Sequence, residues 1–168
     1  MSIEVSNSVV NQGLVAAIYI APAAGAPMEA FAGVEALAGQ GLAADRYALG
    51  VGAYSQAKGG KIRHVTLIAA EDIDAANAAA GTGFTWEDTR RNLVTEGIDV
   101  NGLVGAQFCI GDVSLRGVEL CAPCARPSAL SGKKGFRNAF EGGGGLRAEV
   151  LASGLIRVGA AIVRQAGA

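Results

Sequence analysis

Apolar residues recur along most of this chain in short runs that alternate with small or polar ones, a period of two that predicts strands rather than helices. Leu14 to Ile20 reads as a first strand, the Ala- and Gly-rich stretch from Pro22 to Pro27 as a loop, and Val34 to Leu37 as a second strand. Gly39 to Gly60 holds few large apolar residues, six glycines and the polar Asp45, Arg46 and Lys58, which predicts a long, mobile, surface-exposed connection. Arg63 to Ala69 is β-branched and alternating, so it is expected as a strand. Glu71 to Ala80 is Ala-rich with acids in its first turn and Gly81 at its end, the pattern of a helix. Asn92 to Thr95 predicts another short strand, closed by Gly97, with a turn from Ile98 to Leu103.

Further on, Gln107 to Ile110 and Val113 to Leu120 flank Gly111-Asp112, a two-residue hairpin signal whose second arm leads straight to Cys121. Arg126 to Leu130 predicts a short helix and Gly132 to Gly145 a basic, glycine-rich loop interrupted by Phe136 and Phe140. Leu146 to Leu151 and Leu155 to Val163 read as the last two strands, joined at Ser153-Gly154, with Gln165 to Ala168 as a frayed tail. Many short strands, a few short helices and no βαβ alternation imply a mainly β or α+β, barrel-like fold rather than a doubly wound sheet.

At 168 residues the chain fits a single domain spanning 1–168, long enough for a full core. Aromatics reach only 5% beside 25 glycines, consistent with tight turns. A formal net charge of -1 supplies no global field for nucleic acid or an anionic membrane, so neither is an expected partner, and local patches must do any anion binding. The run from Leu14 to Ala24 is too short to span a bilayer and no basic segment precedes it, which makes a cytoplasmic protein the expectation.

Three cysteines, two of them in Cys121-Ala122-Pro123-Cys124, do not form the framework of a disulfide-stapled domain. Cys121 ends an alternating run and reads as packing, and Cys109 lies inside a hairpin arm. Cys124 follows Pro123, where the strand must end, and Arg126, Lys133, Lys134, Arg137 and Arg147 come soon after. Cations near a thiol favour the thiolate needed for attack, persulfide formation or metal ligation. The same spacing also belongs to thioredoxin-like dithiols and zinc sites. The first needs a βαβ setting, and the second needs ligands beyond Cys109 and His64. The single histidine, His64, sits in a predicted strand and reads as a half-buried structural residue. Arg90-Arg91-Asn92 is either a solvated strand start or a phosphate clamp, and Gly142 to Gly145 either a flexible turn or a backbone nest for an anion.

Taken in order, Gly41-Leu42 with Asp45-Arg46-Tyr47, then Val65-Thr66-Leu67-Ile68 with Glu71, then RRNLVTEGIDVNGLVGAQFCIGDVSLRGVELCAPC and GGLRAEVLASGLIRVGAAI resemble the MOSC domain, named from the C-terminal domain of molybdenum cofactor sulfurase. The likeness runs from about residue 41 to 162. It implies a MOSC-type β-barrel-like fold in which Cys124 is the functional residue, with Arg91, Asn92 and Arg147 lining the same cleft and Arg126 close by. Ala44 departs from the family pattern, which commonly has Gly there, as do Ala122 and Gly143.

The resemblance implies two functions for the same residues. In one, Cys124 carries sulfur as a persulfide, taken from a cysteine desulfurase and passed to a molybdoenzyme or another metal-sulfur acceptor. Pyridoxal phosphate, which family descriptions attach to the domain, is then expected on the partner, because no lysine here has a convincing Schiff-base context. In the other, Cys124 ligates molybdenum in a molybdenum-pterin cofactor whose phosphate is held by Arg91, Arg147 and the basic loop, as in an oxidoreductase component. A β domain that binds a small anion without using a thiol remains the third alternative.

Overall fold

A computed structural model describes residues 12–57 and 59–166, so Lys58 and the last two residues of the expected tail lie outside the described residues. Its strands are β1 (Gln12–Ile20), β2 (Glu29–Phe31), β3 (Gly33–Leu37), β4 (Gly41–Leu42), β5 (Val65–Ala69), β6 (Leu93–Glu96), β7 (Gln107–Ile110), β8 (Val113–Leu120), β9 (Leu146–Ala152), β10 (Gly154–Arg157) and β11 (Ala161–Arg164). Three short helices join them: α1 (Ala70–Ala80), α2 (Arg126–Ser131) and α3 (Phe136–Ala139). None is long and apolar enough to cross a membrane.

Seven strands close into a mixed barrel in the order β1-β6-β5-β9-β8-β7-β11, and β11 returns to β1 through the pairs Gln12↔Val163 to Leu14↔Ala161. Only β5 and β6 run parallel within this ring, and α1 makes the crossover that a parallel pair requires. The helix stops where expected, at Gly81, whose φ of 67° and backbone N–H bond to Asn77 O form its cap. A smaller sheet, β10-β3-β4, lies beside the barrel.

Side-chain alternation divides the packing into two layers. Val65, Leu67, Leu93, Leu146 and Ala148 point into the barrel with Phe108, Ile110 and Leu115. The intervening Ile68 and Val94 face outward and pack with Ile73 of α1 and with Phe84, Phe136 and Phe140. Phe136 stacks on Phe140 at 4.3 Å between ring centroids, and Phe84 meets Phe136 edge-on at 5.2 Å. The expected open loop from Gly132 to Gly145 is thus in large part a packed aromatic lid on the barrel wall, with α3 inside it.

Other expectations need correcting. Leu155 to Val163 is not one strand: Gly159, at φ 90°, breaks it so that β10 joins β3 while β11 closes the barrel. Gln165, placed in the frayed tail, donates its backbone N–H to Gln107 O at 2.9 Å. The connection from Gly39 to Gly60 is not wholly exposed, because Asp45 is fully buried and Arg46 nearly so. Asp45 Oδ1 accepts from Ala21 N–H at 3.3 Å, Arg46 Nη1 at 3.1 Å and Asn92 Nδ2 at 3.3 Å, and its Oδ2 accepts from Tyr47 N–H at 3.2 Å. A composition count sees polar residues and reads solvent. The hydrogen-bond inventory shows instead that one carboxylate ties the connection to β1 and β6. Just before it, Ala44 takes a left-handed φ of 67°, which explains why a glycine suits that position.

Removing the carboxylate leaves the buried Arg46 charge without its counter-ion and the Ala21 and Tyr47 N–H groups without an acceptor. Asp45→Ala is therefore expected to lower unfolding free energy by about 3 to 5 kcal/mol, the cost of breaking a buried ion pair from one side. Urea denaturation at neutral pH measures this, and a loss under about 1 kcal/mol would show that the connection holds without it.

Candidate functional site

The start of β5, the start of β6, the end of β8 and the start of β9 come side by side, and their outward residues form the floor of a cleft on the barrel wall. Thr66 pairs with Arg147 across β5 and β9, and Glu119 pairs with Arg147 across β8 and β9. Asn92 stands on the other side of Thr66, donating its backbone N–H to Thr66 Oγ1 at 3.0 Å and accepting from Thr66 N–H on Oδ1 at 3.1 Å. The segment after β8 supplies Cys121, Ala122 and Cys124, and the residues between β4 and β5 arch over as a strap that adds Tyr47, Tyr54, Lys61 and Arg63. These residues, with Val65 and Arg91, line an open cavity of about 250 Å³.

Four cations, Lys61, Arg63, Arg91 and Arg147, line this one cleft. Arg91 is anchored by Nε, which donates to Gly144 O at 2.7 Å, while its two terminal nitrogens have no hydrogen-bond partner among the described residues. Arg147 is mostly buried. Its Nη1 lies 3.0 Å from Glu119 Oε1, yet the alignment is too poor for a hydrogen bond, so the pair is an ionic contact and the nitrogen remains an unsatisfied buried donor. Lys61 lies 3.4 Å from the same carboxylate. A buried donor without an aligned acceptor and the unpartnered end of Arg91, on one cationic cleft, suit an oxyanion such as a phosphate.

Sulfur sits at the rim. All three cysteines are free thiols: Cys121 is buried, whereas Cys109 and Cys124 are half-buried. Tyr54 Oη donates to Cys124 Sγ at 3.5 Å, and the Arg63 guanidinium lies over the Tyr54 ring, 5.2 Å from its centroid. Cys109 faces the opposite end of the barrel, where Gln165 Nε2 donates to its sulfur at 3.0 Å.

Cys124, Arg91, Asn92 and Arg147, all expected at the site from sequence, do line the cleft, but not all are free to bind. The Asn92 amide is fully engaged, its Nδ2 donating to Tyr19 O at 3.1 Å and to Asp45, so it is a wall that ties strands together rather than an open ligand group. Arg126 does not line the cavity, although its charge acts on the Tyr54 hydroxyl. Arg90 and Arg91 form no clamp. Arg90 takes a left-handed φ of 62°, which turns its side chain toward a separate depression beside Met28 and Leu130. There burial, and then the Arg46 and Arg126 charges, lower its pKa to about 10.

The basic loop is not gathered at Cys124 either. Lys133 Nζ bonds Asp88 Oδ2 at 2.6 Å and Gly83 O at 3.0 Å, while Arg137 borders another hollow on the far side of Pro123. Nor do Gly142 to Gly145 make an anion nest. Gly144 turns its carbonyl to Arg91, and a Cβ there would lie 2.6 Å from Cys121 O. The glycines let this turn pack flat against the cysteine segment, which fixes both Arg91 and Cys121.

His64 has the structural role its strand position predicts. Its Nδ1 accepts Val150 N–H at 3.0 Å, and burial lowers its pKa, so it stays neutral. Sequence reasoning missed Tyr54, Lys61 and Arg63. The alternation of Lys61 and Arg63 just before β5 was the available signal for two of them. Tyr54, a lone aromatic in a glycine-rich connection, offered none.

Comparison with known proteins agrees with this fold. The sequence profile described as "MOSC domain" matches residues 55–163, beginning later than the 41 expected. No curated protein shows significant sequence similarity to the chain. Among solved structures, the YUAD protein from Bacillus subtilis superposes with a TM-score of 0.78 at 17% identity, covering 93% of this chain and 97% of that one. YiiM from Geobacillus stearothermophilus gives 0.68 at 16%, covering 92% and 75%, and YiiM from Escherichia coli gives 0.66 at 16%, covering 94% and 71%. At such identities the likeness is one of fold.

Exposure separates Cys124 from Cys121, and its place on the open cleft separates it from Cys109. With limiting iodoacetamide near neutral pH it is expected to be alkylated ahead of Cys121 and Cys109, as read by peptide mapping after brief labelling. Equal labelling, or preference for Cys109, would remove it from the centre of the site. If the anion end takes a pterin phosphate, Arg91→Ala and Arg147→Ala should each weaken its binding by roughly 1 to 3 kcal/mol. Calorimetry with parallel melting curves checks this, since unchanged affinity beside a collapsed melting temperature would make both arginines purely structural.

Proposed function

From the membership of this chain in the MOSC domain family, we propose that it is a sulfur carrier in which Cys124 bears a persulfide and the cationic cleft docks an anionic acceptor of metal-sulfur cofactor chemistry. The observation that carries this reading is the convergence of a half-buried thiol, free of any disulfide, with four cations on one open cleft. A thiolate at Cys124 attacks the outer sulfur of a donor persulfide. The donor S–S bond breaks, the donor leaves as a thiolate, and Cys124 keeps the transferred sulfur, so no separate oxidant is consumed. The donor in this reading is a cysteine desulfurase and the acceptor a molybdoenzyme or related metal-sulfur protein. Pyridoxal phosphate stays on the donor: Lys61, the one lysine of the cleft among the described residues, is more than half exposed and ion-paired with Glu119, unlike the desolvated amine that Schiff-base chemistry favours.

A second reading draws support from the unsatisfied Arg147 Nη1 and the open end of Arg91, donors that a persulfide does not need. These residues fit the phosphate of a molybdenum-pterin cofactor, and Cys124 is the soft donor that would ligate its metal. When bound, that cofactor would supply redox chemistry. The chain's own contribution is to hold the phosphate with Arg91 and Arg147 and to fix the sulfur at the rim.

Cys124→Ser distinguishes the two, since a hydroxyl neither holds sulfane sulfur nor ligates as a thiolate does. Mixed with a cysteine desulfurase and cysteine, the wild type is expected to gain about 32 Da, reversibly with reductant, and the variant nothing. In the second reading, protein purified from cells that make the pterin cofactor carries molybdenum and loses it on substitution. A Cys124→Ser protein that still takes up sulfur and retains metal would place the chemistry on another cysteine.

A further inference from the structure

Tyr54 has no part in either scheme so far, yet its position is fixed from two sides. A tight turn holds its backbone: Gly52 N–H donates to Ser55 Oγ at 2.8 Å, Ser55 N–H to Gly52 O at 3.1 Å, and Ala57 N–H to Tyr54 O at 3.0 Å. Its ring then lies beneath the Arg63 guanidinium, and its hydroxyl ends at Cys124 Sγ. Nothing about packing requires this reach, because the ring is partly exposed and could turn into solvent.

We propose that Tyr54 is a catalytic residue of the step in which sulfur leaves Cys124, its hydroxyl donating to Sγ as that atom becomes the leaving group, and that Arg63 is the residue that positions it. The inference rests on the sulfur-carrier reading. In that step a nucleophile attacks the outer sulfur of the Cys124 persulfide and the S–S bond breaks. The electron pair returns to Cys124 Sγ, which departs as a thiolate, so electrons balance between the two partners. Negative charge thus develops on the atom to which Tyr54 donates, and a donor already aimed there lowers the barrier without reorganising. The hydroxyl keeps its proton for this purpose. Its hydrogen bond to Cys124 and then its burial raise its pKa, and the Arg126 charge opposes them only in part.

Arg63 acts through the ring. A guanidinium within about 6 Å of an aromatic centroid is attracted to its face, which resists rotation of Tyr54 away from the sulfur. The strap therefore brings to the cleft, besides cations for an anion, a device for releasing sulfur.

The test loads the full chain with sulfane sulfur from cysteine persulfide and then draws it off with cyanide, which attacks the outer sulfur and leaves as thiocyanate. Tyr54→Phe, which keeps the ring, is expected to load to the same mass gain but to release thiocyanate about five-fold more slowly, the rate equivalent of one neutral hydrogen bond. Arg63→Ala should also slow release, but by a smaller factor in the Tyr54→Phe background than in the wild type, because the part of its effect that acts through the hydroxyl is lost once that group is gone. Release at the wild-type rate from Tyr54→Phe, or failure of that variant to load, overturns the Tyr54 assignment and leaves the carrier reading standing. Additive losses in the double variant overturn the role given to Arg63. A wild type that takes up no sulfur overturns both the assignment and the reading it rests on.

Discussion

The Asp45 carboxylate is the contact from which the site's geometry follows. A buried charge is tolerated only when its lone pairs are occupied, and here the partners come from separate stretches of chain: Ala21 after β1, Arg46 and Tyr47 in the strap, and Asn92 before β6. Once Asn92 is held by Asp45 and Thr66, the backbone on either side of it has little freedom. Arg46 adds a second tie, donating from Nη2 to Arg90 O at 3.3 Å at the residue whose left-handed turn sends Arg90 and Arg91 in different directions. The aim of Arg91 into the cleft is therefore set from the strap, through a network that touches no ligand.

Glycines complete this arrangement by allowing close approach. A Cβ at Gly41 would lie 2.4 Å from His64 O, and one at Gly145 2.4 Å from Leu67 O, so β4 presses against the residue that leads into β5, and the turn before β9 against β5 itself, only because those positions are bare. Both also have positive φ, which removes a second penalty that any other residue would face. The result places the cleft on the outer wall of the barrel. The interior can then be filled with Val, Leu, Ile and Phe while polar groups accumulate outside.

Alternation made most of the barrel legible in the sequence. The hairpin at Gly111-Asp112, the helix ending at Gly81 and the strand leading to Cys121 all follow from local signals that the tertiary structure leaves undisturbed. Local signals failed where distant contacts decide. Nothing near Asp45 or Arg46 announces burial, because the partners that tie them to other strands, Ala21, Arg90 and Asn92, lie 24 to 47 residues away. Phe136 and Phe140 look like interruptions of a loop until Phe84 and Ile73 are seen packed with them. The cationic cleft was legible only in part for the same reason: Arg91 and Arg147 were carried by a recognisable motif, but Lys61, Arg63 and Tyr54 reach it through the fold of the strap.

The cleft thus has two parts with different mechanical character. Its floor, formed by Thr66, Asn92 and Arg147, rides on or beside paired strands, where the Thr66–Asn92 bonds hold the wall and Arg147 supplies the donor. Its rim, formed by Cys124, Tyr54 and Arg63, is carried on connections that meet only through side chains. A rigid floor suits a group that must be located, such as the phosphate end of a cofactor or acceptor, since preorganised donors bind without an ordering cost. A rim on connections suits a sulfur that must reach outward to a second protein and then return. If the floor locates and the rim reacts, affinity for the anion and reactivity of Cys124 become separable properties, and the Asp45 network, which fixes Asn92 in the floor and anchors the strap bearing Tyr54, is the element that keeps the two in register.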